Sequence, residues 1–362
     1  MAQPRAAEWE THVLAAFEAE NREGRVPSEA ALERALYWLR QGVPVVIPTE
    51  TVYGLAAPAL DRAAVEAIFV IKGRPLDNPL IVHVAGAGQL PQIGAHLSDL
   101  AARLADAFWP GPLTLVLRAD AALPWVTAGL DSIAVRQPQH DFAAELIRRA
   151  GPLAAPSANL SGLPSPTRAS HAVRDLVGRV PLVIDGGDLD HGVESTVIDA
   201  RGDVPLLLRP GALSLEAIEA CAGRAVGTPE SGGHARSPGM KYRHYSPRAE
   251  LWLYPLATPG AVSVQQQLGR DARQLRAQGR RVAVIARQPL DADHFIALPA
   301  EPAEFARQLF GWLRELDDLK MDNVLVEGVR RVGVGRAIMD RLERAASQVR
   351  APDVDAPEGE SP

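Results

Sequence analysis

Apolar side chains recur at helical spacing near the start of the chain, and a short strand pattern follows them. Leu32, Leu36 and Leu39 fall on one face of a helix that Ser28 would cap, so we predict a helix over about 29–40. The run 43–47 is rich in β-branched residues and lies between a glycine and a proline, which is typical of a buried strand. The end of such a strand is a usual place for chemistry in an α/β sheet.

Short apolar runs of this kind recur up to residue 198, with helical patterns between several of them. This alternation predicts a first domain of mixed α/β structure. The further strand candidates are 80–84, 113–117, 133–135, 153–155, 182–184 and 195–198.

A polar stretch over 223–236, without apolar periodicity, reads as a loop or linker. After it, strand and helix patterns alternate, which predicts a small parallel sheet built from βαβ units. From residue 350 the chain is mostly Pro, Asp, Glu and Gly, as expected of a disordered tail. The strand patterns of this second part are 251–254, 281–285 and 323–327, and its helical patterns are 262–277, 304–316 and 337–346.

Composition narrows the class of protein. The 362 residues suggest two domains at roughly 100 to 200 residues each, and 47% apolar with 23% charged residues is ordinary for a globular chain. A net charge of −6 argues against broad binding of nucleic acid, so any RNA contact would be local. Cys221 is the only cysteine, which excludes an intramolecular disulfide and a multi-cysteine zinc site. The sequence has no membrane-length apolar run and no basic, then apolar, leader, so we expect a cytoplasmic protein.

Two polar segments could bind an anion. Lys72 and Arg74 precede a predicted strand, and prolines at 75 and 79 restrict the backbone around them; a point charge and a guanidinium fork together suit a polyphosphate. On spacing alone, a solvated charged loop is favoured over a phosphate site. The loop 155–167 is rich in Ser, Gly and Pro after a short strand and could direct N–H groups at a phosphate, although it does not have the Walker pattern. An ordinary polar connection fits that loop equally well.

Histidine and acidic residues give no strong metal signal. His83 lies inside an apolar run, where a hydrogen-bonded structural histidine is the usual explanation. The other histidines are scattered, so a protein-bound transition metal is not expected. Asp185 and Glu194 could at most help to hold Mg²⁺ on a nucleotide. Motifs for covalent catalysis are absent from the sequence.

Taken in order, these segments resemble the YrdC-type family of threonylcarbamoyl-AMP synthases, and the later ones resemble its long two-domain members. The resemblance covers roughly 30–346. The matching segments are 48–55, 72–75, 78–83, 109–114, 135–136, 157–159, 194–199 and 208–211, then 237–247 and 333–342.

The resemblance implies a YrdC-like twisted open mixed sheet followed by a small Rossmann-like parallel α/β domain. By the same resemblance we expect a catalytic domain at 28–222, a linker at 223–248 and a C-terminal domain at 249–347. Residues 1–27, without a counterpart in the family core, are expected to form an accessory helix region, and 348–362 a disordered tail.

The resemblance also implies the site residues. Lys72 and Arg74 would stabilise phosphate charge as the catalytic pair, and Tyr245 in the linker would close over the nucleotide. The Thr49/Thr51 and Thr114/Ser132 choices stay open, because one sequence does not show which hydroxyl faces the ligand. The implied ATP contacts are Lys72, Arg74, Asn78, Ser132, Ser157, Ser165, Arg209 and Tyr245, and the implied threonine contacts are Thr51, His83, Arg136, Ala155 and Ser195.

The implied reaction forms L-threonylcarbamoyladenylate and pyrophosphate from L-threonine, bicarbonate and ATP, with Mg²⁺ accompanying the nucleotide. The product would pass to a tRNA threonylcarbamoyl transferase complex, and tRNA itself is a further candidate partner. One alternative is a double-stranded RNA or tRNA binding module without catalysis. Others are a carbamoyl-handling domain of hydrogenase maturation proteins, whose zinc-finger cysteines are missing here, and a regulatory protein that has lost catalysis.

Overall fold

The computed structural model of the protein describes residues 8–21, 24–120, 123–228, 245–256 and 263–350. The chain forms two compact units, each with its own sheet. Within the described ranges, no helix is both long and apolar enough to cross a membrane. The first unit comprises Met1–Ser161 and Ser165–Tyr242, and the second comprises Gly162–Pro164 and Arg243–Pro362.

The first unit combines strands and helices in alternation, which confirms the predicted mixed α/β class. Its strands are β1 (His12–Ala15), β2 (Phe17–Asn21), β3 (Gly24–Pro27), β4 (Val45–Ile47), β5 (Gly54–Pro58), β6 (Ile81–His83), β7 (Ala95–His96), β8 (Leu113–Ala119), β9 (Ser132–Arg136), β10 (Leu153–Ala154), β11 (Leu182–Asp185), β12 (Thr196–Asp199) and β13 (Leu206–Arg209). Its helices are α1 (Glu29–Arg40), α2 (Arg62–Lys72), α3 (Asp99–Phe108), α4 (Pro124–Thr127), α5 (Asp141–Ala150), α6 (Ala169–Leu176) and α7 (Leu215–Ala222), with a 3-10 helix at Ala87–Ile93.

Helix α1 shows how local sequence sets an element. The Ser28 side chain accepts a hydrogen bond from the N–H of Ala31, which satisfies one of the free donors at the helix start. Leu32, Leu36 and Leu39 are buried on one face, as their spacing requires. The helix predicted over 29–40 is confirmed.

The large sheet is mixed and long. Its strand order is β1-β11-β4-β5-β10-β6-β9-β8-β12-β13, with β7 paired to β8 beside this path, while β2 and β3 form a separate hairpin. Four pairs are parallel: β1 with β11, β11 with β4, β6 with β9, and β8 with β12. Strands distant in sequence therefore become neighbours.

The two faces of this sheet are covered differently along its length. In β4, Val46 packs into one core and its neighbours Val45 and Ile47 into the other, so both faces are buried there. Farther along, in β6, β9, β8 and β12, the main core lies on one face. The opposite face has a small apolar cluster of Ile81, Val116, Ala134, Val197 and Leu208.

The N-terminal segment differs from the accessory helix expected over 1–27. Its described residues form β1, β2 and β3, and β1 extends the large sheet by pairing with β11. Residues 13–17 form a short apolar run, and β11 offers an edge to which such a segment can pair. The side chain of Thr11 donates to the carbonyl of Val180 at 2.6 Å, which anchors the segment at that edge.

The second unit contains the small parallel sheet that the sequence predicts. The strand order is β16-β15-β17-β14-β18, and all neighbours are parallel. The short strands β16 and β18 have no clear apolar pattern, and the sequence pattern missed them. The elements are β14 (Glu250–Tyr254), α8 (Val264–Ala277), β15 (Val282–Ala286), β16 (His294–Ala297), α9 (Pro302–Asp318), β17 (Asn323–Glu327), α10 (Gly335–Ala345) and β18 (Gln348–Val349).

Two segments predicted from the sequence lie largely outside the residues that the structure describes. Residues 229–244 of the linker expected at 223–248 lie outside the described ranges, as does 351–362 of the expected tail. The first part of that tail, by contrast, is ordered as β18, which pairs with β14.

Candidate functional site

The register of three central strands brings polar side chains into one row. His83 at the end of β6 lies opposite Arg136 at the end of β9, and Arg136 lies opposite Thr114 in β8. Directly paired residues point to the same face, and these three follow the small apolar cluster at two-residue spacing in their strands. Residues far apart in sequence thus form a continuous polar row.

Arg136 is the centre of this row. It is buried, and its Nε donates to the carbonyl of Gly111 at 3.2 Å while Nη1 donates to Thr51 Oγ1 at 2.8 Å. Its Nη2 forms an ion pair with Glu50 Oε2 at 2.7 Å. Burial alone would raise the pKa of Glu50, but the charge of Arg136 opposes this and the pKa lies below its ordinary value. The pair is therefore ionised and neutral overall.

The two threonines that flank Glu50 have different roles. Thr49 Oγ1 donates to the carbonyl of Val52 at 2.7 Å and accepts from the N–H groups of Thr51 and Val52, so it closes the local turn. Thr51 Oγ1 accepts from Arg136 and also shares a hydrogen bond of 3.0 Å with Thr49 Oγ1. This geometry favours Thr51 over Thr49 as the residue tied to the polar row.

His83 is a buried neutral imidazole. Burial, followed by the nearby charge of Arg136, lowers its pKa to about 3. Its Nδ1 atom has no hydrogen-bond partner among the described residues. A buried polar atom without a partner usually has one in another state of the protein, such as a ligand or water.

Ser195 lies beside the row and connects it to the last strands of the sheet. Its Oγ is 2.7 Å from Thr114 Oγ1, and Arg209 Nη2 donates to both its carbonyl, at 2.9 Å, and its Oγ, at 3.2 Å. A Cβ at position 211 would lie 2.2 Å from the backbone carbon of Ser195, so the close approach of these two backbones requires Gly211. Of the open pair Thr114 and Ser132, Thr114 is the one joined to Ser195.

A second group of cations lies at the end of α2. Lys72 Nζ donates to the carbonyls of Ser157 and Asn159, at 2.5 and 2.6 Å, and so holds the predicted polar loop in place. Burial, followed by the charge of Arg74, lowers the pKa of Lys72 well below its ordinary value. In its charged form lysine has three N–H donors, so that form keeps one donor beyond these two carbonyls.

Arg74 has a similar relation to the backbone. Its guanidinium donates to the carbonyls of Asn78 and Pro79, with Nη2 3.1 Å from the Pro79 oxygen. Ser132 begins β9, and the β6–β9 register extended by two residues places it beside Pro79 rather than in the row of Arg136. About 13 Å of strand separates Ser132 from Arg136. Ser132 therefore lies at the end of β9 that is next to Pro79, whose carbonyl accepts from Arg74.

The other predicted contacts are placed as follows. Ser165 Oγ donates to Glu194 Oε1 at 2.6 Å, and both side chains are buried. Ala155 directly follows β10, and its N–H donates to the carbonyl of Ile81 in the strand of His83. Tyr245 belongs to the second unit.

Tyr245 is itself buried there. Its ring stacks on Phe310 with the centroids 5.2 Å apart, and the Arg341 guanidinium lies 5.3 Å from the ring centroid on a neighbouring element. It has a positive φ of 65°, which is uncommon for a tyrosine. An ATP contact of Tyr245 stays a prediction.

Glu50 is the residue that the sequence reasoning passed over. Glu50 lies between Thr49 and Thr51. A carboxylate shortly after an apolar strand could have indicated a functional residue from the sequence. The acids considered for magnesium have other partners: Glu194 accepts from Ser165, and Asp185 accepts from Tyr53 at 3.3 Å. In the ranges that the structure covers, no three His, Cys, Asp or Glu side chains are grouped as a metal site.

Comparison with known proteins gives consistent matches over both units. Residues 38–211 match the family model Sua5_yciO_yrdC, described as "Telomere recombination", and residues 213–347 match the model described as "Threonylcarbamoyl-AMP synthase, C-terminal domain". The curated protein "Threonylcarbamoyl-AMP synthase" of Pyrococcus abyssi is 46% identical, over 85% of this chain and 92% of its own. Its namesake in Bacillus subtilis is 43% identical, over 88% and 94%.

Solved structures agree with these sequence matches. The structure of Pyrococcus abyssi Sua5 complexed with L-threonine superposes with a TM-score of 0.86 at 41% identity, covering 94% of this chain and all of that one. A structure of a double variant of the same protein gives the same TM-score. The fold and the resemblance inferred from the sequence are both confirmed.

Proposed function

The chain belongs to the Sua5/YrdC family, and from that premise we propose that it is a threonylcarbamoyl-AMP synthase, a nucleotidyltransferase. Its substrates would be L-threonine, bicarbonate and ATP, and its products L-threonylcarbamoyladenylate and pyrophosphate. The observation that carries the proposal is the buried row of His83, Arg136 and Thr114 with Ser195 beside it, in a chain similar to a protein solved with L-threonine.

The reaction has two steps. The threonine nitrogen attacks the bicarbonate carbon, and a carbamate forms with loss of water. A carbamate oxygen then attacks the α-phosphorus of ATP, and pyrophosphate leaves. Carbamates decompose readily in water, so the protein's task is to hold the reactants together, exclude solvent and stabilise phosphate charge.

The amino-acid side of the site would be the Arg136 row. Arg136 would bind the threonine carboxylate, because a guanidinium offers parallel donors to a carboxylate. His83 is neutral, so its free Nδ1 would accept a hydrogen bond from the threonine amine or hydroxyl without adding charge. Ser195, with Thr51 and the backbone at Ala155, would complete this pocket.

The phosphate side would be the Lys72 group. Lys72 and Arg74 supply positive charge, and the loop that Lys72 anchors carries Ser157. Asn78, Ser132, Ser165 and Arg209 are the further ATP contacts in the first unit, and Tyr245 would contact the nucleotide from the second. Magnesium suits a site with few carboxylates, because it is commonly held by substrate phosphates and one or two acids. It would arrive with ATP and neutralise phosphate charge.

The domain limits and partners belong to the same proposal. The catalytic domain would span 28–222, the linker 223–248 and the C-terminal domain 249–347. The product would be consumed by a cytoplasmic transferase that modifies adenosine in tRNA.

The test is pyrophosphate release from ATP and bicarbonate by the purified protein, comparing threonine, serine and no amino acid. We expect release that depends on threonine and that is lost in Lys72→Ala. No release under any condition would sink the synthase assignment, and salt-sensitive RNA binding by the inactive protein would then favour the RNA-binding alternative.

A further inference from the structure

The Glu50–Arg136 pair is the least expected feature of the proposed amino-acid pocket. The Glu50 side chain is 1% exposed and the Arg136 side chain 4%, so both charges have been removed from water. Buried ion pairs are weak contributors to stability, because desolvation offsets most of their attraction. A role in fixing the site explains the pair better than a role in holding the fold.

The contacts of Arg136 show which donors of its guanidinium are held by the protein and which could bind a ligand. Nε donates to the Gly111 carbonyl and Nη1 to Thr51 Oγ1, whereas Nη2 lies 2.7 Å from Glu50 Oε2 in an ion pair without the geometry of a hydrogen bond. Arginine has five N–H groups, so each terminal nitrogen keeps at least one donor for a ligand. Two such donors match the two oxygens of a carboxylate.

Glu50 differs from these two acceptors in carrying charge. The Gly111 carbonyl and Thr51 hydroxyl hold two nitrogens in place, but only Glu50 balances the positive charge of Arg136. Its own pKa lies below the ordinary value, so this balance persists at neutral pH. An amino acid is a zwitterion there, and a neutral pair can receive it without leaving a net buried charge.

We propose that Glu50 is a positioning residue for the threonine substrate, holding the Arg136 guanidinium in the orientation that binds the amino-acid carboxylate. It would act through Arg136, with which it forms an ion pair at 2.7 Å. The inference rests on the proposed function, because it takes threonine as the ligand of Arg136.

The chain offers a matched control on the same sheet. Asp199, at the end of β12, is buried and pairs with Arg201 through Oδ2 at 2.9 Å. It is another buried acid paired with an arginine, but it lies at the opposite end of β12 from Ser195. Asp199→Asn removes the same charge as Glu50→Gln, away from the proposed pocket.

The experiment measures KM for threonine, KM for ATP and kcat by pyrophosphate release, together with threonine binding by calorimetry. For Glu50→Gln we expect at least a 10-fold rise in KM for threonine, with KM for ATP within about 2-fold and kcat within about 3-fold. Asp199→Asn should leave all three constants within about 2-fold. Glu50→Asp, which keeps the charge but shortens the side chain, should lie between wild type and Glu50→Gln.

Two results would overturn the proposal. One is a KM for threonine that is unchanged or lower in Glu50→Gln, since an uncompensated Arg136 would then bind the carboxylate as well or better. The other is a parallel change of both KM values and kcat, which indicates general damage. If Glu50→Gln does not fold, Glu50→Asp carries the test, and a threonine KM equal to that of wild type then counts against the idea.

Failure of the synthase assignment is distinguishable from failure of this inference. A wild-type protein without threonine-dependent pyrophosphate release contradicts the assignment. Threonine calorimetry on wild type and Glu50→Gln still measures the effect of Glu50 in that case. An active wild type with an unaltered Glu50→Gln contradicts only the inference.

Discussion

Two buried cations of the first unit, Arg136 and Lys72, have different surroundings. Arg136 faces a carboxylate, Glu50, and two neutral oxygens. Lys72 faces two backbone carbonyls, and its pKa is lowered by burial and by Arg74. A carboxylate cancels a charge, whereas carbonyls only solvate it. The charge of Arg136 is therefore balanced by a carboxylate in direct contact, whereas burial and the charge of Arg74 disfavour the charged form of Lys72 before substrate binds.

This difference matches the charges of the proposed substrates. A zwitterionic amino acid brings no net charge and suits the Glu50–Arg136 pair, whereas ATP brings several negative charges and suits the neighbouring cations Lys72 and Arg74. Binding of a polyphosphate would also raise the pKa of Lys72 towards its ordinary value, because a nearby anion favours the charged form. Substitutions at Arg136 and at Lys72 test this difference between the two sites.

The largest loss of stability is expected from Arg136→Met. It leaves Glu50 buried without a counter-charge, so the pKa of Glu50 should rise and the free energy of unfolding at pH 7 should fall by about 3–5 kcal/mol. Adding Glu50→Gln should restore most of that stability but no threonine binding. Denaturant unfolding of the single and double variants checks this, and a double variant no more stable than Arg136→Met would contradict the charge argument.

A smaller loss of stability is expected from Lys72→Met. Two buried carbonyls lose their donor but no charge is left unpaired, so the free energy of unfolding should fall by about 1–3 kcal/mol. Activity should fall about 100-fold or more, since Lys72 is one of the two cations proposed to stabilise phosphate charge. Denaturant unfolding and pyrophosphate release measure the two effects. A loss of stability as large as that of Arg136→Met would mean that the two sites are not compensated differently.

The protonation of His83 gives a pH test of the amino-acid side. Its folded pKa is about 3 and its ordinary value 6.5, so between these values the unfolded chain binds the proton and the folded protein does not. Stability is therefore complete above pH 6.5 and falls as the pH is lowered, by about 2 kcal/mol at pH 5. In His83→Asn, the part of the pH dependence of stability that comes from His83 should be absent. Thermal unfolding from pH 8 to 5 compares the two, and parallel curves would show that His83 is not held neutral.

The smallest effects are expected from substitutions of Thr51 and Thr49, which should act on threonine binding and on stability respectively. Thr51→Val removes one acceptor of Arg136 and should weaken threonine binding by about 1 kcal/mol, with little change in stability. Thr49→Val removes the turn contacts and should lower stability by a similar amount of about 1 kcal/mol, with threonine binding retained. Calorimetry and thermal unfolding of both variants check this, and the reverse result would exchange the assigned roles.

Local patterns predicted much of the fold because they depend on neighbours in sequence. The cap at Ser28, the apolar face of α1 and the buried strand at β4 follow from spacing and propensity alone. The strands of the N-terminal segment were missed for the opposite reason, since β1 is stabilised by an edge that β11 provides about 170 residues later. A short segment without a strong pattern takes the structure that its tertiary partner offers.

The candidate site divides in the same way. Sequence by itself determined which residue types are present, the motifs that carry the family resemblance, and the strand ends on which Thr51, His83 and Arg136 lie. Only the tertiary structure decided that Glu50 pairs with Arg136 and that Thr114 meets Ser195, each more than 80 positions away. The first contact depends on where the segment after β4 lies relative to β9, and the second depends on β8 lying beside β12. Strand order is set by burial and backbone pairing across the whole sheet, so no local pattern encodes it.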